Sequence, residues 1–242
     1  MRTITLQKIA LFSALALSLS VPLSAGNSTT TKTFVSGSQS IHVDAYETTA
    51  AGSHPAIVFL YGADAMAILP WSYSAIGSWF ASQGYNFYIV HYFDRTQTTF
   101  GDLLTIIGNF QPWSETISDA TTWVASQPGV DPHRIGIMGM SLGGYLAIYQ
   151  AGHDNRIKAL ADWYGGLIDP NVKFMPPTLI LHGANDPIVP VAEAYKVQAL
   201  AQTLSAPCQI RVYPGDWHGF SLANEFDAIQ RTLTFFGQYL GK

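Results

Sequence analysis

Three residues of this chain, in the order serine, aspartate and histidine, stand in settings where they could act together as nucleophile, acid and base. Ser141 lies inside Gly139-Met140-Ser141-Leu142-Gly143, a G-x-S-x-G pattern. Ile135, Ile137 and Met138 precede it as an apolar run without polar alternation, and Leu142 to Tyr149 continue apolar as a buried helix would. A serine between such a strand and helix sits on a tight corner, beside helix N–H groups that favour developing negative charge. Gly139, Gly143 and Gly144 are placed where side chains would obstruct that corner. The pattern also suits a glycine-rich turn whose serine only caps the helix. What favours chemistry is the acid and base downstream.

The acid candidate is Asp186, in His182-Gly183-Ala184-Asn185-Asp186-Pro187, after an apolar strand. A carboxylate at the carboxyl end of such a strand can reach back toward the serine. Asp162, Asp169 and Asp216 are rivals, and Asp186 also suits an Asx-type turn. The base candidate is His218, in the loop Tyr213-Pro214-Gly215-Asp216-Trp217-His218-Gly219-Phe220. His182 is expected to brace its own loop, His91 could line a pocket, and His42, His54, His133 and His153 fall outside any loop near Ser141. A serine needs a base to be nucleophilic at neutral pH, so the expected chemistry is acyl transfer. Ser141 attacks, His218 takes and returns the proton, and Asp186 holds the imidazole. The backbone N–H groups of Leu142 and of Ala63, in Tyr61-Gly62-Ala63-Asp64, are expected to bind the oxyanion.

Those residues need a frame, and the periodicity supplies one. Strands are expected at 33–36, 40–46, 56–60, 86–92, 134–138, 157–164, 178–182 and 208–213, with helices at 71–82, 115–126, 142–149, 191–204 and 224–239. Asn27 to Lys32 reads as a loose leader, and 94–113 as a short helix or packed flap. Strand and helix alternate from Ala56 onward, which implies a mostly parallel sheet covered on both faces. About a dozen residues separate Tyr164 from Thr178, too few for an inserted cap domain.

GMSLGG, HGANDPIVP and YPGDWHGF, in this order, resemble the dienelactone hydrolase family of α/β hydrolases from about Ala56 to the end of the chain. The resemblance implies a three-layer α/β-hydrolase fold without a cap. It also implies an esterase or lactonase that works through a nucleophile, aspartate and histidine triad, with no metal or other cofactor. Carried over by position, the triad is Ser141, Asp186 and His218. Two departures stand out: the family's name-giving enzymes use a cysteine nucleophile, and their oxyanion loop carries a glutamate that Tyr61-Gly62-Ala63 lacks. Arg95 resembles the position of a carboxylate-binding arginine in the family, or it is a surface arginine paired with an acid. Tyr61 and Trp217 are further expected substrate contacts. Apolar walls from Met66, Ile68, Leu69, Trp71, the 100–113 segment, Trp163 and Trp217 would favour compact or planar acyl groups over long lipid chains. A peptidase or acyltransferase on the same triad remains an alternative, and a non-catalytic binding protein of the same fold a more distant one.

Composition narrows the rest. Residues 1–25 carry Arg2 and Lys8, an apolar run and small residues ending at Ala25, the pattern of a cleavable secretory signal, leaving 26–242 as one secreted or periplasmic domain. Removing Arg2 and Lys8, with no acid in that segment, takes the formal charge from -4 to -6. That balance, with no basic stripe, disfavours nucleic acid as a partner. No later stretch is long and apolar enough to span a membrane, so the mature domain is expected to be soluble, and the family resemblance implies a small-molecule ester or lactone as its partner. Cys208 is the only cysteine, so no disulfide within the chain can form.

Overall fold

A computed structural model describes residues 27–65 and 70–241, so the expected signal segment lies outside the described residues. Eight strands form one sheet in the order β1-β2-β4-β3-β5-β6-β7-β8. They are β1 (Asn27–Ser36), β2 (Gln39–Thr48), β3 (His54–Leu60), β4 (Asn86–Val90), β5 (Val130–Met140), β6 (Ile157–Trp163), β7 (Thr178–Gly183) and β8 (Cys208–Tyr213). β1 and β2 form an antiparallel hairpin that joins β4, and the strands from β3 to β8 run parallel. β3, β4 and β7 are buried almost end to end, which explains their unbroken apolar runs.

The helices are α1 (Pro70–Ser82), α2 (Leu103–Ala125), α3 (Leu142–His153), α4 (Ala192–Thr203) and α5 (Leu222–Leu240). Alternate residues of β5 show how they divide between faces. A Cβ on Gly136 would meet Phe236 and Leu240 of α5, whereas one on Gly139 would meet the backbone of Gly143 and Gly144 in α3. Phe80 of α1 touches Phe236, which puts α1 with α5, while α2 packs beside α3. The result is the three-layer α/β-hydrolase architecture without a cap. No described helix is long and apolar enough to cross a membrane.

Two local expectations are corrected. Asn27 to Lys32 is not a loose leader but the first part of β1, paired residue by residue with Asp44 to Thr48 and Val43. Lys32 holds Glu47 at 2.7 Å across the hairpin, and the threonines between suit a strand with one wet face. The 94–113 segment is likewise no separate flap. After a short 3-10 turn at Tyr92–Thr96, α2 runs for 23 residues straight through Pro112. Asp102 caps it by accepting the Thr105 N–H at 2.8 Å. Its second half buries Trp113, Ile117, Ala120 and Val124 at helical spacing, but its first turns leave Leu103, Leu104 and Ile107 exposed. An apolar run that faces water has no one-sided period, so the helix start does not show in the pattern. Cys208, half-buried in β8, has its thiol pushed up by burial to about 11, so little thiolate exists at neutral pH.

Candidate active site

The carboxyl ends of β5, β7 and β8 bring the three predicted residues together. Ser141 follows β5 with φ 55° and ψ -119°, a conformation a side chain rarely adopts. The neighbourhood enforces it: Ser141 N–H donates to Trp163 O at 2.9 Å, and Tyr145 N–H donates to Ser141 O at 3.1 Å. A Cβ on Gly139 would strike the Gly143 carbonyl, and one on Gly143 would strike the Leu60 and Tyr61 carbonyls. Glycine at both positions lets strand, turn and helix close on the serine.

Ser141 Oγ lies 2.7 Å from His218 Nε2, and His218 Nδ1 lies 2.7 Å from Asp186 Oδ2. The acid is held from behind. Its Oδ1 accepts the N–H groups of Ile188 at 2.8 Å and Val189 at 2.9 Å, while the His182 ring stands 3.5 Å from Oδ2. Burial opposes charge on Asp186, but the hydrogen bonds from His182, His218 and Val189 outweigh it and hold the carboxyl well below the usual range. The acid turn and the base loop are tied by backbone bonds from Asn185 N–H to Asp216 O and from Ala184 N–H to Tyr213 O. Gly183 is packed too closely on the Trp217 carbonyl to admit a side chain.

The predicted oxyanion donors are also placed. Leu142 N–H opens α3, and neither it nor Ala63 N–H donates a hydrogen bond among the described residues. The peptide between Gly62 and Ala63 is pinned by Ala65 N–H to Gly62 O at 3.1 Å, and Ala63 O accepts Gly101 N–H at 2.7 Å. The start of the 100–113 segment thus braces the loop that carries Ala63.

The predicted substrate contacts divide. Trp217 is 67% exposed beside His218, at a recess of about 180 Å³ formed by the 215–221 loop. A larger depression, about 440 Å³, lies between β1 and α2 and contains none of Ser141, Asp186 and His218. Tyr61 is buried: its ring stacks on Tyr92 and its hydroxyl accepts the Phe93 N–H at 3.2 Å, so it is wall rather than contact surface. Arg95 packs on Gly37 of the hairpin turn and lies 3.8 Å from Glu115, the paired alternative rather than a handle in the site. Trp163 and Trp113 are also withdrawn, with their indole N–H groups bonded to Thr232 and Thr96. Met66, Ile68, Leu69 and the Trp71 side chain lie outside the described residues.

The remaining candidates have structural partners. Asp216 accepts Asn224 Nδ2 at 2.8 Å at the start of α5, and Asp169 pairs with His153. His91 and His42 pair with Asp44 and Asp94. His182 braces its loop as expected, through Val189 O at 2.8 Å. Among the described residues no three His, Cys, Asp or Glu side chains converge as a metal site requires.

Sequence reasoning missed Tyr164 as a neighbour of His218, and weighed Asp162 only as a rival acid. Tyr164, at φ 43°, sets its ring edge-on to His218 at 5.0 Å between centroids. Asp162 lies fully buried under the nucleophile turn, where one oxygen accepts Gly165 N–H at 3.0 Å and the other has no partner. Burial pushes its carboxyl up to about 7 against the opposing influence of His182. The folded state therefore holds a proton through a range where the unfolded carboxyl, at 3.8, has lost it. Stability from this site is greatest below about pH 4, declines up to about 7 and is flat above. Asp162→Asn should consequently raise the melting temperature more at pH 8 than at pH 4.5, the gain in stability differing by about 3 kcal/mol between the two. Thermal melts at the two pH values check this, and an equal gain at both would contradict it.

Comparison with known proteins came to the same region. A model of the dienelactone hydrolase family matches residues 43–240. A protein of Salmonella typhimurium strain LT2, provisionally named carboxymethylenebutenolidase, is 29% identical over 169 residues, covering 59% of this chain and 62% of its own. The chain thus spans less than two thirds of that relative. A dienelactone hydrolase-like promiscuous phosphotriesterase from metagenomic libraries superposes with a TM-score of 0.77 at 15% identity, covering 89% of this chain and all of its own. A puromycin-hydrolyzing peptidase of Mycobacterium tuberculosis gives 0.73 at 17% identity, with 89% of this chain on 40% of that one. At such identities the two structures speak to the fold alone.

Proposed function

The chain belongs to the dienelactone hydrolase family, and from that premise we propose that it is a serine hydrolase cleaving carboxylic esters or lactones through an acyl-enzyme. The observation that carries this reading is the unbroken chain from Ser141 Oγ through the His218 ring to Asp186, 2.7 Å at each link. In the first half-reaction Ser141 Oγ bonds to the carbonyl carbon as His218 Nε2 takes its proton, and the carbonyl oxygen becomes an oxyanion facing Leu142 and Ala63 N–H. The tetrahedral species collapses, His218 protonates the departing alkoxide, and the acyl group stays on Ser141. Water then repeats the sequence and releases the acid. In a lactone the leaving alkoxide stays tethered, and the product is one hydroxy acid.

The same triad is compatible with a peptidase reading, since fold and triad do not fix the leaving group and the peptidase above shares the fold. Location belongs to the proposal too: residues 1–25 direct export and are removed, a reading that rests on their sequence pattern. A fluorophosphonate probe tests the central claim. The purified protein should be labelled once, at Ser141, with loss of ester hydrolysis in proportion. A protein that hydrolyses no ester and takes no label would instead be a binding protein of this fold.

A further inference from the structure

Asp64, in the turn after β3, is half-buried and belongs to no part of the proposed triad. A methyl placed on Gly62 would stand 3.2 Å from Asp64 Oδ1 and 3.5 Å from Ser141 Cβ, so carboxylate and nucleophile flank the same face of Gly62. The oxyanion donor Ala63 is its immediate neighbour in the chain. Asp64 forms no ion pair among the described residues, and Ala65 to Leu69, the next residues along, carry no charge. His218 is the ionisable group that bears on its charge, and Asp64 acts in turn on the phenols of Tyr73, Tyr92 and Tyr164. Burial also raises the carboxyl above its ordinary value, as expected for an acid without a cation.

A fixed negative charge here is at odds with the reaction proposed for the site, on which this inference rests. When the carbonyl oxygen becomes an oxyanion, Asp64 repels it, and an anionic substrate adds a second repulsion. A positive group on the substrate removes both. We propose that Asp64 determines substrate charge: it receives an ammonium group close to the ester carbonyl, as in an aminoacyl ester, and rejects carboxylate-bearing esters. This reverses the preference expected from Arg95, whose guanidinium is held at Gly37 and Glu115.

The test compares three p-nitrophenyl esters of similar length, the β-alaninate, the butyrate and the hemisuccinate. They are assayed with the wild-type enzyme, Asp64→Asn and Asp64→Glu. Wild type should show kcat/KM falling from ammonium to neutral to carboxylate, by about tenfold at each step, the scale of one charge-assisted contact. The spread should shrink with added salt. In Asp64→Asn the three values should converge to within about threefold, while Asp64→Glu retains the ammonium preference. An equal slowing of all three esters in Asp64→Asn would mean that Asp64 only supports the His218 imidazolium, and would overturn the proposal. So would an unchanged order of preference. Failure of wild type to hydrolyse any of the three would overturn the hydrolase reading along with it, which separates the two failures. Should Asp64→Asn not fold, a wild-type order that ignores salt or favours the hemisuccinate overturns the proposal by itself.

Discussion

Ser141→Ala is expected to lose about five to six orders of magnitude in kcat toward any ester the wild-type protein cleaves, with its fold intact. The size follows from the division of labour at the site. Without Oγ there is nothing for His218 Nε2 to deprotonate at 2.7 Å, and no acyl-enzyme can form. What survives is binding and the N–H groups of Leu142 and Ala63, which alone retain modest catalysis over water. Melting curves and steady-state rates on a preparation free of wild-type enzyme check this, and turnover within about tenfold of wild type would refute the assignment. The backbone offers a companion measurement. Ser141 holds φ 55° and ψ -119°, a strained conformation for alanine as for serine but not for glycine. Ser141→Gly should therefore melt higher than Ser141→Ala while being equally inactive. Equal melting temperatures would mean the strain is not carried at this residue.

Asp186→Asn is expected to cost about four orders of magnitude in kcat, because it favours the wrong imidazole tautomer. Oδ2 now faces His218 Nδ1 at 2.7 Å as an acceptor. An asparagine can keep its oxygen on the Ile188 and Val189 N–H groups, which bond Oδ1 at 2.8 and 2.9 Å. Its NH2 group then donates toward His218, leaving the ring proton on Nε2, where it blocks acceptance from Ser141. That NH2 also faces the His182 ring N–H, so some stability should be lost with the rate. The rival carboxylates give the contrast. Asp162→Asn and Asp216→Asn should remain within about tenfold of wild type, since one lies under the turn and the other caps α5. Near-normal turnover in Asp186→Asn with either rival inactive would move the acid role to that residue.

The charge inference bears on the peptidase alternative as well as on esters. An ammonium beside the carbonyl is what an aminoacyl ester and the amino end of a peptide have in common. Asp64 therefore constrains both readings of the triad in the same direction, and the leaving group, not the acyl group, is what distinguishes them.

Much of the frame, and the positions of the three residues proposed as a triad, are legible in the sequence. The reason is that they depend on short-range constraints. A strand buried on both faces must be apolar throughout, as β3 and β7 are, and a strand-to-helix corner tight enough to project Ser141 admits only glycine at 139 and 143. Asp186 and His218 carry their turn residues beside them, so each marks its own loop. What the sequence left undecided depends on residues far apart in the chain. Arg95 and Tyr61 follow β4 and β3 in the chain, yet which way each side chain turns is decided by Gly37, Glu115, Tyr92 and Phe93. The exposed apolar start of α2, with Leu103, Leu104 and Ile107 facing water, conceals the period of that helix. Asp64 reads as an ordinary turn residue. Only the approach of β5 to β3, which sets Ser141 against Gly62, turns it into a charge beside the nucleophile, because a carboxylate's effect is decided by the distance to other charges and by the absence of water, and neither is written in local sequence.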